Sequence, residues 1–584
     1  MSTQTPNPSS TAGKSRSMPL PPLRRVIAAD APAARGVIAG LLAQLDAVRR
    51  GASSRIVIPA GRHEVRPHEL PQRLCYVSNN DSGLRPVLFD LTGLNGVEID
   101  GQGAELVFHG EIIPVMANRC RDLRIANITI DWARPFLSQG LVVDADAGRI
   151  RLDMHPDHPF EVHDGRVTFT GTDYRSSYLH NMLAFDAERR EPAFRAVDHY
   201  GLMPKLRAAS AGSTRLDLFG EFAKPPAPGE VMVIKHHGRT APGMCFDRCR
   251  GVEVEDVAIH HAGGMAFVGQ ATRDIALRRC TVAPPADSDR VFSAHADATH
   301  FTDCHGRIEL ADCTFANQLD DATNIHGIYR RVDGSGSTTR LHARLVHDQQ
   351  DGVETLAAGD TVALFDDRDF AEIGRAEVTA VTNPDSASAV YDLSHRVDLV
   401  DGHTVAMRWD HDVDVHISGC RAHGNRARGF LISTLGRVVI ERNHLHVPGS
   451  AIQFNFDGGS WYESGPVEDV TIRDNHFDNC LHGVWGKALF SVDPHIAPEH
   501  RRHAVNRNIT IANNRIDASD PRMIFAHSVS GLRFVDNDIT WTDVYPRDRS
   551  DAHLTFEEAV GVLDCQPITP PREPADQSSQ PSRL

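Results

Sequence analysis

Three aspartates invite a chemical reading. Asp297 lies in Phe292-Ser-Ala-His-Ala-Asp-Ala-Thr-His300, and the pair Asp320-Asp321 lies in Phe315-Ala-Asn-Gln-Leu-Asp-Asp-Ala-Thr-Asn-Ile-His-Gly327. Asp297 and Asp320 are 23 residues apart, as are His295 and Gln318. The same interval recurs along the chain as a structural repeat, so it predicts that Asp297 and Asp320 occupy equivalent positions on neighbouring coils. Adjacent strands lie ~4.8 Å apart. Two carboxylates at that spacing repel when both are ionised, which raises one pKa and leaves an acid beside a base near neutral pH. In a regular strand Asp321 would point the other way, and a corner or bulge would turn it into the same cavity. Cleavage of a glycosidic bond needs such a pair, held roughly 6.5–9.5 Å apart for inversion or roughly 5–5.5 Å for retention. The bland account makes these turn or surface aspartates, and it leaves the matched interval unexplained.

Other candidates surround them. Asn324 and His326 follow the pair and could bind sugar hydroxyls, or simply turn a corner. Arg426 and Arg428 fall one coil further on, since Asp321 and Arg428 are 107 residues apart; either could clamp a hydroxyl or hold an aspartate ionised. Trp461, Tyr462 and Glu463 offer a stacking surface beside an acceptor, which suits the apolar face of a sugar. Asp131-Trp132 is a weaker version of the same pairing. The 32 histidines show no ligand spacing of the His-Glu-x-x-His kind.

The elements that must position these groups follow from a short pattern: apolar, two variable residues, Asn or Cys, one more, then apolar. It appears as Leu277-x-x-Cys280-x-Val282, Leu310-x-x-Cys313-x-Phe315, Ile417-x-x-Cys420-x-Ala422, Ile440-x-x-Asn443-x-Leu445, Ile472-x-x-Asn475-x-Phe477, Ile511-x-x-Asn514-x-Ile516 and Phe534-x-x-Asn537-x-Ile539. Copies are spaced 23 residues apart or 23 plus a loop. A fixed period of this size means stacked units, and Asn or Cys at one position per coil should form an internal ladder. The fold expected is all-β, a right-handed parallel β-helix, in preference to a β-sandwich, because hairpin signals are scarce. Two stretches, 140–237 and 329–410, alternate with period two between Gly, Asp and Pro turns and read as inserted antiparallel β-barrel-like subdomains. The expected order is a disordered tail (1–25), a cap helix between Pro32 and Arg50 with the first coils (26–139), the first insertion (140–237), the coils carrying the aspartates (238–328), the second insertion (329–410), the C-terminal coils (411–565) and a second disordered tail (566–584).

Composition limits the partners. With 584 residues, a formal charge of −16 and no sustained Lys/Arg run, the chain is not a nucleic-acid binder. No stretch is apolar enough to span a membrane. The N-terminus shows no signal peptide, which favours the cytoplasm and leaves export by another route open. The ten cysteines form no Cys-x-x-Cys pair, and several fall at inward repeat positions, so free thiols are expected.

Several segments together resemble glycoside hydrolase family 110: Ser78-Asn-Asn-Asp81, Glu98-Ile-Asp-Gly-Gln-Gly103, Ile130-Asp-Trp132, Asp320-Asp-x-x-Asn-Ile-His-Gly327, Arg428-Gly-Phe-Leu-Ile-Ser-Thr434 and Trp461-Tyr-Glu-Ser-Gly465. The resemblance spans about residues 55–540. It implies a β-helix with β-barrel insertions, an exo-acting hydrolase of terminal α-1,3-linked galactose, inversion, no cofactor, a carbohydrate partner and a homodimer. It also implies that Asp320 is the general acid, with Asp297 and Asp321 activating the water. A polygalacturonase-like enzyme of family 28 is the first alternative, although no Arg-x-Lys follows Asp321. A non-catalytic β-helical glycan-binding protein is the second, and it leaves the three aspartates without a purpose.

Overall fold

The computed structural model describes residues 36–201, 205–354, 356–546, 554–556 and 561–568. The tail expected at 1–25 lies outside these residues, as do residues 569–584 of the tail expected at 566–584; residues 566–568 of it are described, and Gln566 is tied to the last coil. Among the described residues no helix is long and apolar enough to cross a membrane.

The chain winds into a parallel β-helix. Two long parallel sheets, one of 20 strands and one of 13, run its length. Parallel crossovers within a sheet are right-handed, which sets the hand of the coil. The repeat pattern stacks in register: Val254, Leu277, Leu310, Ile417, Ile440, Ile472, Ile511 and Phe534 lie one above another. All eight are buried in one continuous core. The residue before each Asn or Cys adopts a left-handed conformation (Arg279, Asp312, Gly419, Arg442, Asp474, Asn513 and Asp536), a region most side chains avoid. Each coil bends there and turns the next side chain inward.

The inward side chains form the expected ladder. Asn443 donates to Asn475, Asn475 to Asn514 and Asn514 to Asn537, each at 2.9 Å. Cys313 and Cys420 continue the stack by donating to backbone carbonyls. All ten cysteines are free.

Both ends are tied off by glutamines. At the N-terminal end the helix Val37–Arg49 packs Ile38, Leu41, Leu45 and Val48 onto the first coils and stops at Gly51, whose φ is +70°. From it Gln44 makes two bonds to the backbone of Val57, satisfying an exposed strand edge. At the other end Gln566 bonds the backbone N–H and C=O of Asn537, the last rung of the ladder.

The two irregular stretches are antiparallel. Strands Gly336–Arg344, Ser388–Leu399, Glu372–Thr382, Thr361–Asp366, Thr404–Arg408 and Arg330–Asp333 close into a six-stranded barrel. Seven strands between Leu137 and Lys235 form an open sheet, with a small three-stranded sheet beside it. Its core takes in Phe292 and Leu319, which flank Asp297 and Asp320 in sequence. The first insertion is thus packed directly against the acidic corner.

Candidate active site

Asp297, Asp320 and Asp321 converge: one carboxyl oxygen from each lies within 4.8 Å of the others. The stacking differs by one residue from the expectation. Thr299 pairs with Thr323, so the coil partner of Asp297 is Asp321 and the interval here is 24, not 23. The extra residue is a bulge at Gly306–Arg307, since Arg273 pairs with His305 but Ile275 with Ile308. The aspartate pair lies in the corner 317–322, between strands Thr314–Ala316 and Thr323–Ile328, where Asn317 has φ +61°. That corner lets two consecutive aspartates share a cavity. Asn425 holds it by donating to the backbone oxygens of Asp320, Arg426 and Arg428.

The three carboxyls have different surroundings. Asp320 receives Arg426 at 2.7 Å and Arg239 at 3.2 Å. Burial pushes its pKa up, but the two guanidinium groups outweigh it and hold the carboxyl at about 2. Asp321 takes three bonds from Arg428, at 2.7–2.9 Å, one of them from the backbone N–H. Burial still prevails over that arginine and lifts it to about 7. Asp297 touches no arginine; burial, then the charge of Asp320, raises it to about 8.

A chain of two histidines leads to Asp297, and with a neutral His326 it calls for a proton there. His326 Nδ1 faces the carbonyl of Gly327 at 2.6 Å and must donate to it. If the ring is neutral, its Nε2 accepts from His300 Nε2, 3.1 Å away. His300 is fully buried, which holds its pKa well below the ordinary value and keeps it neutral. Its Nδ1 then accepts, and the partner 2.8 Å away, Asp297 Oδ2, must carry the hydrogen.

Most residues singled out from the sequence meet here. Glu463 accepts from Asn324 at 3.3 Å and lies 3.5 Å from His326. Asn79 also donates to it, at 3.1 Å. Trp461 stands at the rim, 38% exposed, with Arg239 5.8 Å from its ring and His347 stacked on it. Both ring nitrogens of His295, both amide atoms of Gln318 and Oδ1 of Asn324 are buried without partners among the described residues. Unmet donors and acceptors around an acidic centre suit a ligand covered in hydroxyls. Asp131-Trp132 is not part of the site: Asp131 pairs with Arg290, and the Trp132 indole donates to Gly110 within the aromatic core.

Sequence reasoning missed the contribution of the first insertion. Asp198 receives Arg426, Asn181 and Trp485 and so fixes the arginine that holds Asp320. Arg239 and the buried Lys235, whose pKa burial pulls down to about 7, come from its C-terminal end. No periodicity links these residues to the coils they serve. The three carboxyls could in principle hold a cation, but Arg239, Arg426 and Arg428 already supply the positive charge. A cavity of ≈ 470 Å³ lies away from this chemistry, between the first insertion and residues 289–291.

A carboxyl with a raised pKa beside one kept ionised is what hydrolysis of a glycosidic bond asks of a protein, and comparison with known proteins agrees. A family model described as GLAA-B beta-barrel domain I matches residues 138–232. Alpha-1,3-galactosidase A of Shewanella woodyi is 32% identical over 86% of this chain and 83% of its own. Alpha-1,3-galactosidase B of Bacteroides thetaiotaomicron is 29% identical, over 89% and 86% respectively. Among solved structures, a family 28 exopolygalacturonase of Yersinia enterocolitica aligns at TM-score 0.33 and 11% identity, covering 88% of this chain and 73% of that one; a likeness of that size decides nothing. The chain belongs to the α-1,3-galactosidases of glycoside hydrolase family 110.

Proposed function

We propose that this enzyme removes terminal α-1,3-linked galactose from oligosaccharides or glycoconjugates, with inversion at the anomeric carbon. The observation that carries this is the split of three adjoining carboxyls into one ionised and two raised groups, in a pocket whose remaining polar atoms lack partners. Asn324, His326, Arg426, Arg428 and Glu463 would orient the sugar and the carboxyls, and Trp461 would receive its apolar face. By family correspondence Asp320 protonates the leaving oxygen, while Asp297 and Asp321 activate water. The resting enzyme has the opposite distribution, so in this scheme a proton crosses to Asp320 once substrate is bound.

The two arginines on Asp320 and the histidine chain on Asp297 favour a second reading, in which Asp297 donates the proton and Asp320 draws on the water. The nearest oxygens are also closer than the roughly 6.5–9.5 Å of inverting pairs, so the anomer released first is the primary measurement. Hydrolysis of α-1,3-galactobiose followed by NMR should show β-galactose; α-galactose would sink inversion. Asp320→Asn then separates the two readings. If Asp320 is the acid, the variant keeps activity on a dinitrophenyl galactoside, whose leaving group needs no proton, and loses ~10²–10⁴-fold on the disaccharide. If it serves the water, both substrates fail and azide restores turnover as β-galactosyl azide. The homodimer implied by the family predicts twice the chain mass in sedimentation.

A further inference from the structure

A second cluster, outside the acidic corner, has the makings of a metal site. One ligand atom each of Glu191, His446 and His482 lies within 4.8 Å of the other two. Glu191 is on the edge strand Glu191–Pro192 of the first insertion, His446 ends the coil strand His444–His446, and His482 follows the strand His476–Asp478. Glu191 and His482 are buried, at 5% and 2% exposure. His446 Nδ1 faces the carbonyl of Asp478 at 2.6 Å, and His482 Nδ1 faces that of Asn479 at 3.2 Å. Each Nδ1–H donates to a backbone oxygen, the arrangement that orients a metal-bound imidazole and leaves Nε2 to bind. His482 Nε2 has no hydrogen-bond partner among the described residues. His446 Nε2 meets Glu191 Oε2 at 2.8 Å, and the Tyr545 hydroxyl donates to the other Glu191 oxygen.

We infer that Glu191, His446 and His482 bind a zinc ion that clips the first insertion to the C-terminal coils. Two imidazoles and a carboxylate are a zinc donor set, with metal–ligand distances of roughly 2.0–2.2 Å that hold ligand atoms roughly 3.3 Å apart. His446 and Glu191 need part by only about half an ångström to admit the ion at that spacing. Binding displaces the proton between them, which leaves to solvent. An ordinary ion pair explains Glu191 and His446, but it gives the bare nitrogen of His482 nothing to do. The clip is also linked along the chain to the residues that brace the active site. Asp198 lies seven residues after Glu191 and Trp485 three after His482; Trp485 donates to Asp198 at 2.8 Å, and Asp198 holds Arg426.

The test is metal content and spectroscopy on the full chain. Protein stripped with chelator, then dialysed against micromolar zinc, should hold one zinc per chain by mass spectrometry and melt at a higher temperature. Cobalt in its place should give the visible absorption of a four-coordinate site. His482→Ala, checked for fold by circular dichroism, should bind at least about 100-fold more weakly, beyond what loss of an outer partner costs. Should that variant fail to fold, the milder Glu191→Gln is read the same way. No zinc on the wild type, or equal zinc on the folded variants, overturns the inference.

Discussion

The asparagine ladder and the acidic corner are built on different coils of one β-helix, and they handle buried polar groups in opposite ways. In the ladder, Asn443, Asn475, Asn514 and Asn537 give and accept amide bonds at every rung, and the end is closed by Gln566. None of the four has an unmatched atom. In the corner, three carboxyls crowd together, two of them with raised pKa values, and His295 and Gln318 keep unmatched atoms. A buried polar network rigidifies when fully satisfied and costs stability when it is not. The β-helix therefore uses one inward position to hold itself together and another to bind something else. The ladder supplies the rigidity that a strained site requires.

The largest effect should come from leaving one carboxylate of the corner alone. Arg428→Met removes two of the three bonds to Asp321. A buried charge stripped of its partner costs about 3 kcal/mol. The loss should be greatest near pH 9, where Asp321 is ionised, and smaller at pH 5, where it is protonated. Equal destabilisation at both pH values, by urea denaturation, would contradict the charge argument. Next comes the ladder: Asn475→Ala orphans the amides on either side and should cost about 2 kcal/mol, with kcat unchanged below the melting transition. A fall in kcat at a temperature where the variant is folded would show that ladder and corner are not separable.

The same contrast explains what could be read from the chain. The ladder was legible because one apolar position and one Asn or Cys repeat on every coil, and those positions proved to be the ones in register. The acidic corner was legible as a group: Asp297, Asp320, Asp321, Asn324, His326, Arg426, Arg428 and Glu463 join one network, with Trp461 at its rim. Its register was misjudged by one residue because a bulge in strand His305–Ala311 adds a residue, and a bulge leaves no periodic trace in the sequence. Arg239, Asp198 and Lys235 were not found, since they arrive from an insertion with no fixed offset to the coils. Asp131-Trp132 resembled a sugar platform only by composition; three packed rings around Trp132 make it core.

A gentler probe acts on the proton itself. Asp297 is an acid whose folded pKa, about 8, lies above its unfolded value. The folded state therefore holds a proton that the unfolded state releases, and stability falls as pH rises from about 4 toward 8. Asp297→Asn removes that penalty. The variant should lose activity yet gain about 1 kcal/mol at pH 8, a gain typical of relieving an active-site strain, and gain nothing at pH 4. Asp320 behaves in the reverse sense: with its carboxyl held at about 2, its contribution is present at neutral pH and is lost as pH drops below the ordinary carboxylate range. A melting-temperature profile that rises with pH across 5–8 in wild type relative to Asp297→Asn would refute the assignment.

The smallest effect belongs to the rim. Trp461 is the one proposed sugar contact with substantial exposure, and hydrogen bonds hold its backbone independently of the ring: its N–H and that of Tyr462 reach Asp457, and its carbonyl accepts from Gln350. Removing the indole should leave stability within about 0.5 kcal/mol, as for other surface changes. A sugar stacked on the ring in both ground and transition states loses uniform binding when the ring is lost, which raises KM and spares kcat. Trp461→Ala should therefore raise KM several-fold for α-1,3-galactobiose, and Trp461→Phe should recover most of the loss. If kcat fell instead, the ring would be acting through Arg239, 5.8 Å away, by setting the position of Asp320, and the rim would belong to the acidic corner and not to the binding surface outside it.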